Sequence, residues 1–180
     1  MEIQIDKNSI FEFLKSRRSY QSFIYKKVKD DIIKEILDSA YQGLVEKPTD
    51  LIKINVVVHP TVKQMISELM DENQSNIVTE SYVDLIIFLN LERSKNKIEE
   101  YQIIGAFIQN ILLGAHAVKD LGATWVKNIT EHNDKILEIF KLSKRKYELT
   151  GIISMGAIDE TTKKINSLKQ KKVEEFADWF

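Results

Sequence analysis

Residues 14–23 read LKSRRSYQSF, two adjacent arginines set among serines and aromatic side chains. These residue types suit one task, the binding of an anion. A phosphate needs several charge-assisted donors in fixed directions, and guanidinium forks supply them at about 1.5–3 kcal/mol per bond. The competing reading is a solvated helix end, where cations are favoured by the helix dipole. A second basic run, LKQKK at 168–172, reads by itself as a solvated lysine run before a helix. There are no cysteines, so thiolate nucleophiles, thiolate metal sites and disulfides are excluded. The three histidines are scattered. His116 lies among apolar neighbours and reads as an interior or interface residue, and His59, before Pro60, as a turn residue.

Composition narrows the frame around these side chains. The chain has 180 residues, 43% of them hydrophobic and 29% charged, which suits one domain spanning 1–180. A net charge of −1 gives no field that would gather nucleic acid or anionic lipid. The longest apolar stretch, Ile103 to Val118, is shorter than the ~20 residues a membrane span needs and carries Gln109, Asn110 and His116. It reads as a helix buried in a core or a subunit interface. MEIQIDKNS shows neither the basic nor the apolar region of a secretory signal, so a cytoplasmic protein is expected.

The elements that must position the arginines follow from periodicity. A short helix is expected over 8–16, with Asn8 or Ser9 as cap, and a second from Asp30 with Ile32, Ile33, Ile36, Leu37 and Ala40 at helical spacing. IKINVVVHP reads as a strand ending at Pro60, TVKQMISELMDEN as a helix and SYVDLIIFLNLER as a central strand. A long helix over 98–120 precedes a short strand, ATWVKNI. The helix NDKILEIFKL, capped by Asn133 or Asp134, leads to a last strand, YELTGIISMGAID. Interleaved helices and strands suit an α+β fold in which helices wrap a mixed central sheet. No glycine-rich first turn is present, so a classical dinucleotide-binding domain is disfavoured.

Four segments, in order, resemble the nitroreductase-like flavoproteins. RRSYQSF followed by VKDDIIKEILDSA is similar to that family's opening R-R/H-S-x-R/K-x-F and its following helix. GAFIQNILLGAHAVKDLGATWV resembles the central GxAxQNLLLAAHALGLGxxW, LTGIISMGAID the last core strand, and KKVEEFADW the closing RxPLEEVVHW. The resemblance implies a homodimer with the long helix at its interface and FMN bound between subunits. NAD(P)H would be co-substrate, and nitroaromatics, quinones or other small molecules would accept the electrons in a ping-pong cycle. Arg17, Arg18 and Ser19 fall where relatives hold the FMN phosphate, ribityl chain and pyrimidine edge. Lys169 and Lys171 fall near a second phosphate contact.

Departures from the pattern are as informative. Gln21 replaces a basic residue of the opening signature. ATWVKNI aligns with xCWIGGF, whose backbone N–H groups approach the flavin's reactive edge; Trp125 and Val126 match, whereas Lys127 and Asn128 replace small residues. A lysine there would stabilise a reduced, anionic flavin. YQGLVEKPTDLIKINVVV aligns with xxAPSxxNxQPWRFVVV, so the hallmark loop is replaced and only Thr49 stands at the asparagine's position. The expectation is an FMN-dependent oxidoreductase. The alternatives are a degenerate flavin-binding relative serving as sensor or flavin store without turnover, and a cofactor-free interaction scaffold.

Overall fold

The computed structural model describes residues 7–44, 50–162, 164–165 and 172–180. The helices are α1 (Lys7–Ser16), α2 (Asp30–Gln42), α3 (Pro60–Ser67), α4 (Glu72–Glu80), α5 (Lys97–Ala117) and α6 (Asn133–Ile139). The strands are β1 (Ile52–Val57), β2 (Val83–Asn90), β3 (Leu121–Val126) and β4 (Tyr147–Ala157). Strand order is β1-β2-β4-β3. Short 3-10 turns cover Ile129–His132 and Val173–Glu175.

The α+β class and the four expected strands are found, but the sheet is not mixed: all three strand pairings are antiparallel. The reason lies in the connections. Between β1 and β2 the chain makes two helices, α3 and α4, which carry it out and back, so β2 starts where β1 ended. Between β2 and β3 it makes one helix, α5, and these two strands do run parallel. They never touch, because β4 inserts between them, antiparallel to both. Alternation in the sequence therefore reports a parallel pair that is split in space.

Every residue of β2 is buried, as the apolar run Leu85–Leu89 at its centre demands of a central strand. Val83, Leu85, Ile87 and Leu89 face α2 and α5, together with Ile153 and Met155 of β4. Ile86, Phe88 and Ile152 face the opposite layer of α3, α4 and α6. α5 starts where Asn96 accepts from the Ile98 N–H at 3.2 Å, while the buried Glu100 carboxylate accepts the Asn96 N–H at 3.1 Å. It packs closely on α2: Asn110 Nδ2 donates to the Ala40 carbonyl at 3.2 Å.

Several boundaries differ from expectation. The helix expected from Thr61 stops at Ser67, and the polar α4 that follows has little apolar period; Asp71 caps it by accepting from Gln74 N–H at 3.0 Å. α1 already includes Asn8 and Ser9, so neither caps it. His59 caps α3 through Nδ1, 3.3 Å from the Thr61 N–H, with Pro60 at the first helical position. Asn133 does not cap α6 but accepts from the Leu149 N–H at 2.8 Å, tying that helix to β4.

Candidate functional site

The arginine pair lies in a half-buried link between α1 and residues 20–24, which cross the sheet on its α3/α4/α6 face. Tyr20 lies so close over Gly122 that a Cβ there would come within 2.7 Å of the ring. Thr124 Oγ1 accepts from the Tyr20 N–H at 2.8 Å and donates to the Tyr20 carbonyl at 2.5 Å. One buried hydroxyl thus fastens the arginine segment to β3. The two stretches expected to hold the cofactor, 17–19 and 125–128, enter the structure from either side of that fastening.

The arginines have little to do within the chain. Arg17 Nη1 reaches only the Ser19 hydroxyl, at 3.4 Å. Arg18 Nη1 donates to the Lys15 carbonyl at 2.6 Å and the Arg17 carbonyl at 2.8 Å, so it also caps the C-terminal end of α1. The solvated-helix-end reading is correct for that part of Arg18's role. Among the described residues neither guanidinium has an ion-pair partner. Their field acts on His116 at the end of α5. Burial first, then a balance in which Arg17 and Arg18 oppose a backbone bond to Phe13, holds that imidazole's pKa below its ordinary 6.5.

At the other side of the fastening, Trp125 is 43% exposed, and its indole covers Gly151 and touches the space of Ile108. A Cβ at residue 151 would stand 2.8 Å from Nε1, so glycine is what leaves room for the indole over β4. Val126 points the other way, 2% exposed in the opposite core, and offers a ligand only its main chain. Lys127 and Asn128 are exposed. Asn128 sits at φ 56°, ψ 16°, the left-handed conformation that glycine takes most readily and asparagine tolerates best among the rest. The replacement of glycine in xCWIGGF therefore keeps a backbone that glycine would adopt.

Gln21 is exposed, and the basic charge it replaces is not restored by its neighbours in sequence. Thr49, Lys169 and Lys171 lie outside the described residues. The segment leading to the two lysines is anchored, however: Ile165 N–H donates to the Ser19 carbonyl at 2.8 Å, and Tyr20 pairs with Lys164. Two clefts of about 550 and 570 Å³ open elsewhere, one at Asp50, Arg93 and Tyr147, the other at Phe23, Lys63 and Tyr82. No residue expected to bind cofactor lines either. The candidate site is instead built from two segments joined at Thr124: one carries two cations without counter-charge among the described residues and a serine hydroxyl, the other an exposed indole and the exposed residues 127–128. That donor set fits a phosphate bearing a flat aromatic ring, provided another surface completes the enclosure.

The sequence reading missed Thr124, although it stands inside ATWVKNI, and the docking role of His116. Neither carries a local signal, because each partner is about 100 residues away.

The sequence matches no protein-family model and no curated protein. Solved structures do match. A protein described as a nitroreductase in complex with FMN, from Desulfovibrio desulfuricans, superposes with a TM-score of 0.84 at 21% identity, covering 97% of this chain and 99% of its own. One described as an NAD(P)H:FMN oxidoreductase, from Staphylococcus epidermidis, gives 0.79 at 17% over 100% of both chains. An FMN-dependent nitroreductase from Clostridium difficile gives 0.71 at 23%, covering 87% of this chain and 91% of its own. With a topology shared almost end to end, and four segments that resemble one family in order, the chain is built on the nitroreductase fold.

Proposed function

We propose that the protein is an FMN-dependent oxidoreductase of nitroreductase type, cytoplasmic and homodimeric. NAD(P)H would be the electron donor and a nitroaromatic, quinone or similar small molecule the acceptor, in a ping-pong cycle. The observation that carries this reading is the pair of guanidiniums without counter-charge among the described residues, fastened through Thr124 to the strand that leads into residues 125–128. Bound FMN would supply the redox chemistry, accepting a hydride from one substrate and releasing electrons to the next.

The chain's own residues bind and orient. Arg17, Arg18 and Ser19 hold the phosphate end, with Lys169 and Lys171 as further donors. Gln21 and Thr49 add weaker polar contacts. Trp125 and the main chain of Val126 would border the ring, and Lys127 and Asn128 would lie towards its reactive edge, where positive charge would favour the reduced state. No side chain of the site needs to act as acid or base for hydride transfer.

The homodimer is supported by apolar surface left bare on a single chain. α1 buries none of its residues, and Phe11 and Leu14 are exposed on it. Ile98 is exposed on α5, where Gly105 has open space before it, and Trp179 and Phe180 are exposed at the C-terminal end. α5 is apolar nearly all round, a pattern that belongs to a helix covered on every side.

The purified protein is expected to be yellow, or to become so with added FMN, and to bleach when mixed anaerobically with NADH or NADPH. A protein that takes up FMN but does not bleach is the sensor or store. One that remains colourless with excess FMN sinks both flavin readings.

A further inference from the structure

The arginine clamp is one basic residue short at Gln21, and the fold brings up another from far along the sequence. His116 stands near the end of α5, and two side chains of α1 dock on it. Ser16 Oγ lies 2.9 Å from His116 Nε2, and the Phe13 ring centroid 4.9 Å from the imidazole's. The Ser16 hydroxyl donates its own proton to the Phe13 carbonyl at 2.9 Å. With its proton given there, Ser16 Oγ is placed to accept from a ring N–H. Because no residue of α1 is buried, these contacts bear directly on where its last turn lies, and with it Arg17 and Arg18.

We infer that His116 is the conditional third cation of this clamp: while neutral it docks α1 on α5, and it takes up a proton when a phosphate monoester fills the space at Arg17 and Arg18. The inference rests on the flavin reading above. His116 acts as a positioning residue, through Ser16 and through its field, and does not touch the reacting atoms.

The charges around the ring point one way. Burial lowers its pKa most, a bond to the Phe13 backbone opposes this, and Arg17 and Arg18 lower it further. On α1, Lys15 and Glu12 pair with each other at 3.6 Å. The acidic residues of α5, Glu99 and Glu100, lie in its first turn, at the other end, and Lys119 and Asp120 in the turn beyond are exposed. Burial is the main reason the ring stays neutral, and the repulsion added to it comes from the two guanidiniums a phosphate would neutralise. Filling the clamp removes that repulsion and adds attraction, so the ring's proton affinity rises, and by reciprocity the charged ring binds the anion more tightly. The effect on affinity is complete at low pH, where the free ring is already charged. It fades as pH rises between the free and the occupied midpoints. A phosphomonoester's own second ionisation, near pH ~6, runs the opposite way, so affinity against pH is not the readout to use.

The test is imidazole NMR on the full-length protein, with His59 and His132 as internal references and His116→Gln assigning the third signal. Saturating FMN is expected to move the His116 midpoint upward by roughly one pH unit. His59 and His132 should stay in place, and riboflavin, which lacks the phosphate, should leave all three unmoved. FMN binding seen by fluorescence quenching with an unmoved His116 midpoint overturns the inference and leaves the flavin reading intact. An equal rise with riboflavin also overturns it. Failure to bind FMN at all overturns the flavin reading and this inference together. Calorimetry in buffers of different ionisation enthalpy gives a second readout. His116→Gln keeps a donor for Ser16 but cannot titrate, so it should lose the proton uptake seen on FMN binding to the unaltered protein; equal uptake in both would sink the idea.

Discussion

Two regions of the molecule hold cations out of bulk water, and they treat the charge in opposite ways. Lys63, 4% exposed on α3, donates to the carbonyls of Ser81 and Thr79 and lies 3.8 Å from Asp84 Oδ2. Asp84, 0% exposed on β2, accepts through Oδ1 from Ser81 Oγ at 3.0 Å and Ser154 Oγ at 2.5 Å. Its Oδ2 has the lysine's charge but no hydrogen bond. This network ties α3, the α4–β2 corner, β2 and β4, and it is answered almost entirely from within. Arg17 and Arg18 are answered by a hydroxyl and two carbonyls. A cation whose charge is met inside the fold is structure; one left unmet is offered to something from outside.

The sharpest way to break that contrast is to remove one member of each set. Lys63→Met leaves Asp84 without its counter-charge and drives its pKa higher still, and a loss of about 3–5 kcal/mol is expected in urea unfolding at pH 8. A loss under 1 kcal/mol would mean that the network is not what holds these elements together. The second effect is one of pH. Burial pushes the Asp84 pKa up to about 7 against the partial opposition of Lys63, Ser154 and Ser81. The unfolded chain gives up this proton near its ordinary 3.8, so between the two values the folded state binds more protons. Stability from this group is full below the lower value, falls as pH rises towards 7, and is level above it. Asp84→Asn should flatten that slope in urea midpoints measured across pH 4 to 8, and an unchanged slope would assign it to other groups.

Thr124→Val comes next. It strips both partners from the Tyr20 backbone inside the protein, at a cost of roughly 1–3 kcal/mol for each group left unpaired, and should loosen FMN binding along with the fold. The smallest effect on stability belongs to Arg17→Gln combined with Arg18→Gln, expected within about 0.5 kcal/mol in the same unfolding assay. That pair should nonetheless weaken FMN binding by at least about tenfold, since each charge-assisted bond contributes ~1.5–3 kcal/mol. Equal losses of stability in the lysine and arginine variants would erase the distinction between the two regions.

How much of this could be read from the sequence follows from where each signal resides. β2 and α5 were legible because the apolar run Leu85–Leu89 and a long apolar helix are properties of the segment itself. α4 was not, since ENQSNIVTE buries little; its one local mark is the Asp71-x-x-Gln74 cap. Asp84 inside VDLIIFLN was a visible anomaly, a charge in a strand that must be buried, but Lys63 lies on another element and could not be named. The arginines were legible as an anion site only by resemblance. The fastening at Thr124 and the docking on His116 depend on tertiary distance, which no spacing encodes. The antiparallel sheet was missed for a related reason: alternation tells that β2 and β3 run parallel, not that β4 comes between them.

That insertion has a consequence for how the protein is made. Of the four strands among the described residues β4 is synthesised last, yet β2 and β3 are joined only through it. At ~5–20 residues per second, the apolar β2 and β3 wait seconds on the ribosome with bare edges before Tyr147–Ala157 emerges. Any fragment ending before Tyr147 leaves those edges open for good, ready to pair with another chain. The strand that completes the sheet is therefore also the checkpoint between a folded product and an aggregating one.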